Sequence, residues 1–389
     1  MFTSPLNWVE INRKALEHNL AVFKKMTANQ SVICACVKAN AYGHGLIETG
    51  KIIGKDRRVW LGVNAVFEAE SLRKAGIKNP IYILGYTPLS QLENAARLNC
   101  RLVVYNYETI EKLSKIAVKL HKKVPVHIKI ETGNNRQGLL PSEAVKLAEK
   151  ISASSLVLEG AATHFANIED TTDHTYAFFQ LKNFMDACEK IEDATGAKIP
   201  IKHCANTAAT ILFPETHLNM VRVGIGLYGM WPSKETYVSA LREGNRGQSP
   251  AATVPFSLRP VLSWKTRISQ IKEIPEGSYI GYGCTYKTTA KTRLAILPVG
   301  YYDGYDRGLS NTAYVLIKGR RAQIRGRVCM NITMVDVTDI PAAAIEDEVV
   351  LIGRQDKENI SIEQMADRCN TINYEIPTRI NERVPRIVI

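Results

Sequence analysis

The feature that most constrains the fold of this sequence is a series of eight short apolar runs between residues 32 and 223. Segments with helical periodicity separate the runs, and an amphipathic helix near Arg13–Met26 precedes the first. Repeated strand–helix units predict a parallel sheet, and eight of them favour a closed α/β barrel of the (β/α)8, TIM type. The alternative is an open, doubly wound sheet, but no Gly-x-Gly-x-x-Gly follows the first run. The runs are Val32–Val37, Trp60–Val63, Ile81–Leu84, Leu102–Tyr105, Val124–Ile130, Leu156–Ala162, Ile199–His203 and Met220–Val223, and the helical segments include Glu68–Ala75, Thr109–His121, Ser142–Ile151 and Tyr176–Ile191.

The composition changes after residue 240. Arg242–Ala252 is rich in Gly, Asn, Gln, Ser and Pro, which is typical of a linker. Beyond it, β-branched runs separated by Gly and Pro predict a mainly β domain with one short helix near Ile362–Cys369. We therefore expect a barrel over residues 9–240 and a mainly β domain over residues 241–389, which also takes in residues 1–8. The β-branched runs are Val261–Ile271, Leu294–Val299, Tyr314–Ile317, Ala322–Arg327, Met334–Val337 and Val349–Ile352.

Composition argues against several classes of function. No apolar run approaches the roughly 18 residues of a membrane span, and the first residues lack the basic and apolar blocks of a secretory signal. We therefore expect a cytoplasmic protein without a membrane partner. The net charge of +12 suggests nucleic acid, but the basic residues are scattered. The cluster Lys318–Arg321, with Arg325 and Arg327, alternates with apolar residues as a solvated strand face would, so we expect no nucleic-acid partner.

The cysteines do not indicate a metal site. The chain contains eight, at positions 34, 36, 100, 188, 204, 284, 329 and 369. None are spaced as Cys-x-x-Cys, and no histidine spacing near them is typical of zinc. Reduced thiols are the expected state in a chain without an export signal. We expect no bound metal.

Polar residues follow several of the predicted strands at the end where the active sites of such barrels gather. Taken alone, His164 has the simpler interpretation of a core histidine, and Arg136 that of a surface ion-pair partner. Convergence from separate strand ends favours a functional site instead. The residues concerned are Lys38, Lys129, Arg136, His164, Asn206-Thr207, Arg222 and Gly224-Ile225.

These residue types suit a phosphorylated aldehyde. A partly desolvated lysine at a strand end, such as Lys38, can form a Schiff base with an aldehyde. Asn206-Thr207 at the start of a helix and Gly224-Ile225 in a tight turn offer a hydroxyl and backbone N–H groups to a phosphate. A threonine that merely caps a helix has a similar pattern.

Longer motifs give the sequence a specific resemblance. The motifs are Val37–Gly45, Thr163–Ala166, Pro298–Tyr301 with Asp303–Tyr305, Gly326–Met330, Thr333–Thr338 and Thr371–Ile376. With them, the sequence resembles the alanine racemase family over nearly its whole length, from Trp8 to Arg386. The resemblance implies a homodimer with shared active sites that uses pyridoxal 5'-phosphate to interconvert L- and D-alanine. It implies the supply of D-alanine for peptidoglycan, and a catabolic role is equally compatible with the sequence.

The resemblance also implies a role for each site residue. Lys38 would form the Schiff base and act as one base, and Tyr282 of the partner subunit would be the opposite base, assisted by His164. Arg222 would face the pyridine nitrogen. The phosphate would be bound by Tyr42, Asn206, Thr207, Gly224, Ile225 and Tyr374. Arg136, Met330 and Tyr282 would contact the substrate, and Glu169, Tyr301, Arg307 and Arg327 would line the access channel. Lys129 matches a lysine that is carbamylated in many members of the family and that orients the arginine.

Functions other than alanine racemisation compete with this interpretation, and some positions depart from the pattern of the family. A guanidinium stays protonated, so Arg222 opposite the ring nitrogen predicts negligible transaminase activity. A serine or broad-specificity racemase is the main alternative, because apolar pockets reject one extra hydroxyl weakly. A decarboxylase needs a larger pocket, and a carrier protein needs no second base such as Tyr282. The departures are Asn331 and Glu131 in place of Asp, Thr207 in place of Ser, and Asn134-Asn135 in place of Met-Gly.

Lys38 provides the first test. Purified protein should absorb at about 420 nm, as expected of a protonated imine between a lysine and this aldehyde. Borohydride should remove the band, and Lys38→Ala should lack it. A band that persists in Lys38→Ala would contradict the assignment.

Overall fold

The computed structural model describes residues 5–244 and 256–389. Their described residues form two compact units. The barrel unit comprises Lys14–Ala41 and Thr49–Pro260, and the β unit comprises the chain up to Arg13, Tyr42–Glu48 and Val261–Ile389. Of the predicted linker, residues 242–244 belong to the helix Lys234–Gly244, and residues 245–252 lie outside the described residues.

The barrel unit is built on eight parallel strands. From β2 to β8 each strand pairs with the next along the chain, and the last strand, β9, pairs with the first, β2. Between β8 and β9 the backbone N–H of Asn219 donates to Lys202 (3.1 Å) and that of Arg222 donates to Ala205 (3.0 Å). The predicted (β/α)8 barrel is therefore confirmed as a nearly closed barrel. The strands are β2 (Val32–Cys36), β3 (Trp60–Val63), β4 (Ile81–Ile83), β5 (Cys100–Val104), β6 (Val124–Lys129), β7 (Leu156–Ala162), β8 (Ile201–His203) and β9 (Met220–Val223).

Helices follow most of the strands and begin where local sequence favours it. Asn106 accepts a hydrogen bond from the backbone N–H of Thr109 (3.0 Å), which caps Tyr107–Lys119. Pro141 begins the next helix, where its missing N–H costs no hydrogen bond. The α-helices up to residue 244 are Arg13–Met26, Leu46–Ile53, Val66–Lys74, Leu92–Arg97, Tyr107–Lys119, Pro141–Ser152, Thr175–Thr195, Thr207–Leu212 and Lys234–Gly244, and the short 3-10 helices are Leu89–Gln91, Pro214–Thr216 and Ile225–Tyr228.

The β unit contains two sheets. The larger has the order β14-β13-β16-β10-β1-β18, with β17 paired to β16, and the smaller has the order β11-β12-β15. Its strands are β1 (Asn7–Ile11), β10 (Leu262–Arg267), β11 (Gln270–Ile274), β12 (Thr292–Leu297), β13 (Tyr314–Ile317), β14 (Arg320–Gln323), β15 (Thr333–Asp336), β16 (Glu348–Gln355), β17 (Glu358–Ile360) and β18 (Arg386–Val388). Its helices are Ile362–Arg368 and Glu375–Thr378, with 3-10 turns at Tyr282–Cys284, Tyr301–Asp303 and Arg307–Leu309.

The first strand belongs to the β unit rather than to the barrel. β1 pairs antiparallel with β10 and parallel with β18, so residues 9–11, which the sequence assigned to the barrel, extend the larger sheet instead. Tyr42–Glu48 also belongs to the β unit. The apolar pattern alone does not indicate which sheet a short strand will join, because either sheet would bury it.

The basic cluster near residue 320 has compensated charge. Lys318 and Gly319 form the turn between β13 and β14, so the cluster lies on a hairpin and not on one strand. Lys318 pairs with Asp347 (2.7 Å), and Arg321 pairs with Glu358 (2.6 Å). These side chains are exposed and neutralised by neighbouring carboxylates.

Gly43 should tolerate alanine far less well than Gly76. Both have positive φ (+82° and +79°). A Cβ at Gly43 would lie 1.8 Å from the carbonyl oxygen of Pro377, whereas a Cβ at Gly76 would meet no atom of the described residues within 4 Å. Left-handed backbone costs alanine about 1–2 kcal/mol in either variant, and the clash should add about 1–3 kcal/mol. Thermal unfolding should therefore show a larger fall in Tm for Gly43→Ala. Equal falls would show that the backbone at Pro377 moves aside.

Candidate active site

Lys38 lies just after β2, partly buried, at the start of an unusual turn. The next four residues, Ala39 to Tyr42, all have φ between 52° and 54°. Left-handed backbone costs about 1–2 kcal/mol for each non-glycine residue, so a run of four is strained, and such strain clusters at functional sites. The sequence predicted a turn here but not its left-handed form.

Two buried side chains hold this turn in place. Glu68, 3% exposed, accepts hydrogen bonds from the backbone N–H of Ala39 (2.7 Å) and of Asn64 (2.6 Å). The phenol of Tyr228 donates to the carbonyl of Cys36 (2.8 Å) at the end of β2. Neither residue was singled out from the sequence. A carboxylate in the first turn of the helix Val66–Lys74 was the available signal for Glu68, but it predicts only a helix cap.

Arg222 is the best-anchored residue of the site. Arg222 lies on β9, is 6% exposed, and its guanidinium donates to groups at or just beyond the ends of β7 and β8. One terminal nitrogen, Nη1, contacts His203 Nδ1 (2.7 Å) and the His203 carbonyl (3.1 Å). The other, Nη2, donates to the carbonyls of Thr163 (2.8 Å) and Cys204 (2.9 Å) and to His164 Nδ1 (3.2 Å). These contacts fix the guanidinium in one orientation.

His164 is surrounded by positive charge and is therefore neutral. Burial lowers its pKa well below the usual value, and the charges of Lys129, Arg222, Arg136 and, more weakly, Lys38 lower it further. The 3.2 Å contact between Arg222 and His164 brings two of the predicted rim residues together. Because Arg222 can only donate, His164 Nδ1 accepts and the single ring proton lies on Nε2.

The loop after β6 is ordered by Glu131. Its carboxylate accepts from the backbone N–H groups of Gly133 (2.6 Å), Asn134 (2.6 Å) and Arg136 (3.3 Å). Partial burial acts to raise the pKa of Glu131, but these backbone hydrogen bonds lower it below its ordinary value. The loop thereby places Arg136 at the rim, exposed within the barrel unit.

Lys129, the last residue of β6, stands at the start of this loop. Burial lowers its pKa well below the usual lysine value, with further contributions from the charges of Arg222 and Arg136. An uncharged amine is the form that reacts with carbon dioxide, so the predicted carbamylation is chemically reasonable. Lys129, Arg136 and His164 line the same narrow crevice.

Asn206 and Thr207 form a turn that packs against Gly224. Asn206 Oδ1 accepts from Ala209 N (3.0 Å), capping the helix Thr207–Leu212, while its Nδ2 donates to Glu169 (2.6 Å). The hydroxyl of Thr207 accepts from the backbone N–H of Gly224 (3.0 Å). The amide of Asn206 is thus engaged within the protein, and the side chain shapes the turn rather than pointing away from it.

Two of the predicted site residues in the β unit are aromatic neighbours. The rings of Tyr42 and Tyr374 lie 6.1 Å apart, tilted by 45°. Tyr282 lies apart from them and is 73% exposed, on a 3-10 turn between two glycines of positive φ. A Cβ at the second, Gly283, would lie 3.1 Å from Arg327 Cζ, so Arg327 packs closely on the turn that carries Tyr282.

The remaining predicted residues of the β unit lie on its surface. The backbone N–H groups of Tyr301 and Tyr302 donate to the carbonyls of Cys329 (3.0 Å) and Met330 (2.9 Å), which places the exposed Met330 beside Tyr301. Tyr301 and Arg307 line a surface depression of about 920 Å³. The roles that the resemblance gave to these residues stay predictions.

Residues 5–244 and 256–389 contain no group of three or more His, Cys, Asp or Glu side chains suited to a metal ion. Among the helices within those limits, none combines the length and apolar character that a membrane crossing requires.

Asn206→Ala tests the turn, with Asn106→Ala as its matched control. Each asparagine caps a helix, so each substitution should destabilise the protein by about 1 kcal/mol and lower Tm similarly. Only Asn206 also holds Glu169 beside Thr207. Asn206→Ala alone should therefore weaken the binding of pyridoxal phosphate, measured by titration of the cofactor into stripped protein. Equal affinities in the two variants would contradict a role for this turn.

Comparison with known proteins gives a consistent family assignment. The family models for the alanine racemase N-terminal and C-terminal domains match residues 11–232 and 261–388. The chain is 42% identical over 383 residues to an alanine racemase of Halothermothrix orenii, covering 97% of this chain and 96% of the relative.

Solved structures agree. An alanine racemase of Clostridium difficile superposes with a TM-score of 0.90 at 36% identity, covering 100% of this chain and 97% of that one. A histidine racemase of Leuconostoc mesenteroides has a TM-score of 0.86 at 28% identity, covering 100% and 99%. With both domain models matched and full-length relatives near 40% identity, this chain belongs to the alanine racemase family.

Proposed function

We propose that the chain is a pyridoxal-phosphate-dependent racemase that interconverts L- and D-alanine, moving a proton between two bases on opposite faces of the substrate. The proposal includes a cytoplasmic homodimer with shared active sites and the supply of D-alanine for peptidoglycan. The observation that carries it is the arrangement at the barrel rim, where Arg222 donates to His164 Nδ1 (3.2 Å). Burial, together with the neighbouring basic side chains, lowers the pKa of His164.

The residues present fit this cofactor. Lys38, held on a strained turn, would bind its aldehyde carbon. Thr207 and the turn at Gly224 combine a hydroxyl with backbone amides, the donors that a phosphate requires. When bound, the cofactor supplies an electron sink for the pair left on Cα after the proton departs. Ile225, Tyr42 and Tyr374 would complete the phosphate site.

Arg222 would control which reaction follows. Its guanidinium remains protonated and is held by carbonyl groups and imidazoles, so it would donate to the pyridine nitrogen without transferring a proton. A ring nitrogen without a proton withdraws electrons more weakly, which disfavours protonation away from Cα. Racemisation is then favoured over transamination.

Two bases would move the proton. The amine of Lys38 would act on one face and the phenol of the partner subunit's Tyr282 on the other. Tyr282 is 73% exposed on its own chain, consistent with a side chain that serves a neighbouring protomer. The Nε2–H group of His164 would donate a hydrogen bond to this phenol and stabilise its phenolate form. A positioned acid–base group typically contributes about 10²–10⁴-fold.

The substrate would be held by its carboxylate. Arg136, placed at the rim by the Glu131 loop, and the backbone of Met330 would bind it, with Lys129 orienting Arg136 if carbamylated. Tyr374 and Met330 would leave room for a methyl side chain. Glu169, Tyr301, Arg307 and Arg327 would line the access channel. A similar structure bears the name histidine racemase, so side-chain preference needs a direct test.

The kcat/KM values for both enantiomers of alanine, serine, histidine and lysine test the proposal. Alanine should give the highest value, with some turnover of serine, because an apolar pocket rejects one hydroxyl weakly. Tyr282→Phe should lower kcat for alanine by about 10²–10⁴-fold. Tyr279→Phe, on the same exposed segment, is the control and should leave kcat unchanged.

Two outcomes would contradict the proposal. A kcat/KM for histidine or lysine above that for alanine would show that alanine is not the preferred substrate. Equal kcat values for Tyr282→Phe and Tyr279→Phe would remove Tyr282 as a base.

A further inference from the structure

A line of buried hydrogen bonds leads from Arg222 away from the rim and through the barrel interior. Arg222 Nη1 contacts His203 Nδ1 at 2.7 Å, and His203 Nε2 lies 2.9 Å from His127 Nδ1. His127 Nε2 in turn lies 3.1 Å from Glu159 Oε2. Both imidazoles are fully buried. The line joins four consecutive members of the barrel wall's second half: β9, β8, β6 and β7 contribute one residue each.

The hydrogen bonds along this line are compatible with only one placement of the ring protons. Arginine has no acceptor, so His203 Nδ1 must accept and its proton lies on Nε2. That proton faces His127 Nδ1, which must therefore accept as well. The remaining proton of His127 lies on Nε2 and is donated to the Glu159 carboxylate. A positive charge stands at one end, a negative charge at the other, and each imidazole between them is held neutral in one tautomer.

The backbone is adapted to this line at two adjacent positions. The pairing of β6 with β7 shifts from Val126–Leu158 to His127–Gly160, so Glu159 is an extra residue in the ladder. Such a bulge redirects a side chain. At Gly160, a Cβ would lie 2.4 Å from His127 Nδ1 and 2.7 Å from a backbone oxygen, so only glycine leaves room for the imidazole.

The far end of the line is closed by aromatic and charged groups. Arg101 pairs with Glu159 (3.2 Å) and stacks over Trp60 with its Cζ 4.7 Å from the ring centre. Tyr82 packs on both imidazoles, with ring centres 4.8 Å and 5.4 Å away. Burial lowers the pKa of His127 despite the nearby Glu159 carboxylate, and burial with the Arg222 charge lowers the pKa of His203 well below its usual value.

We propose that Glu159 and His127 are positioning residues for Arg222, acting through His203 to keep an acceptor facing the guanidinium. If either imidazole took the opposite tautomer, His203 would present an N–H to Arg222 Nη1, and the two donors would repel. Arg222 would then lose the contact that seats it beside His164. The effect on catalysis rests on the proposed function, whereas the fixed tautomers do not.

Two variants of Glu159 compare loss of the acceptor for His127 Nε2–H with its retention. Glu159→Leu removes the carboxylate, while Glu159→Gln keeps a carbonyl oxygen that can accept from His127 Nε2. Glu192→Leu is the matched control, because Glu192 is also an ion-paired carboxylate of the barrel unit, bound by Lys198 and Lys202 and outside this line. Thermal unfolding confirms that each variant is folded.

The first measurement uses cofactor-free protein with ¹⁵N-labelled histidine rings, whose long-range ¹⁵N–¹H spectra show which ring nitrogen carries the proton. The wild type, Glu159→Gln and Glu192→Leu should hold His127 and His203 as single Nε2–H tautomers at pH 7. Glu159→Leu should show mixed tautomers at His127. An Nδ1–H tautomer in the wild type, or unchanged tautomers in Glu159→Leu, would overturn the proposal.

The second measurement uses the loaded enzyme. Glu159→Leu should lower kcat for alanine about tenfold, as removal of a group behind a catalytic residue commonly does, with KM within about twofold. It should also release more pyruvate per turnover, as the amino group of alanine passes to the cofactor. Glu159→Gln should restore both values.

Altered tautomers with unchanged kcat and pyruvate would overturn the positioning role while leaving the proposed function intact. A wild type that racemises no amino acid would refute the proposed function, and the ring spectra would still decide the tautomers.

Discussion

The site depends on the burial of one guanidinium. A buried arginine must find acceptors for its fixed fork of donors, since an unpaired buried charge is severely destabilising. Arg222 finds them in the carbonyls of Thr163, Cys204 and His203 and in two imidazoles, all at or just beyond the ends of β7 and β8. Burial lowers the pKa values of His164, His203 and Lys129, and the charge of Arg222 lowers them further.

Strain and rigidity are combined around Lys38. The left-handed turn is unfavourable in isolation, and it is retained because Glu68, Tyr228 and the close packing of Gly43 on the backbone of Pro377 fix both of its ends. A lysine on such a turn has little freedom to move away from the rim. This matters for proton transfer, which is sensitive to displacements of about 1 Å.

The sequence predicted the barrel well because its signals are local. Buried parallel strands are continuous apolar runs, and three predicted runs begin and end at the same residues as the observed strands. They are Trp60–Val63, Leu156–Ala162 and Met220–Val223. The grouping of polar residues also followed, since strand ends of a barrel share one rim. What could not be predicted depends on register or on tertiary partners. The bulge at Glu159 is visible only once β6 and β7 are paired. The assignment of β1 to the other sheet likewise required the pairing itself.

The course of the chain has a consequence for folding. The chain leaves the barrel unit after Ala41, contributes Tyr42–Glu48 to the β unit, and returns at Thr49. It begins in the β unit as well, through β1. No single cut in the chain therefore separates the two units into complete pieces. During synthesis, β1 must therefore wait for β10, a strand made more than 250 residues later, before it can pair within its sheet.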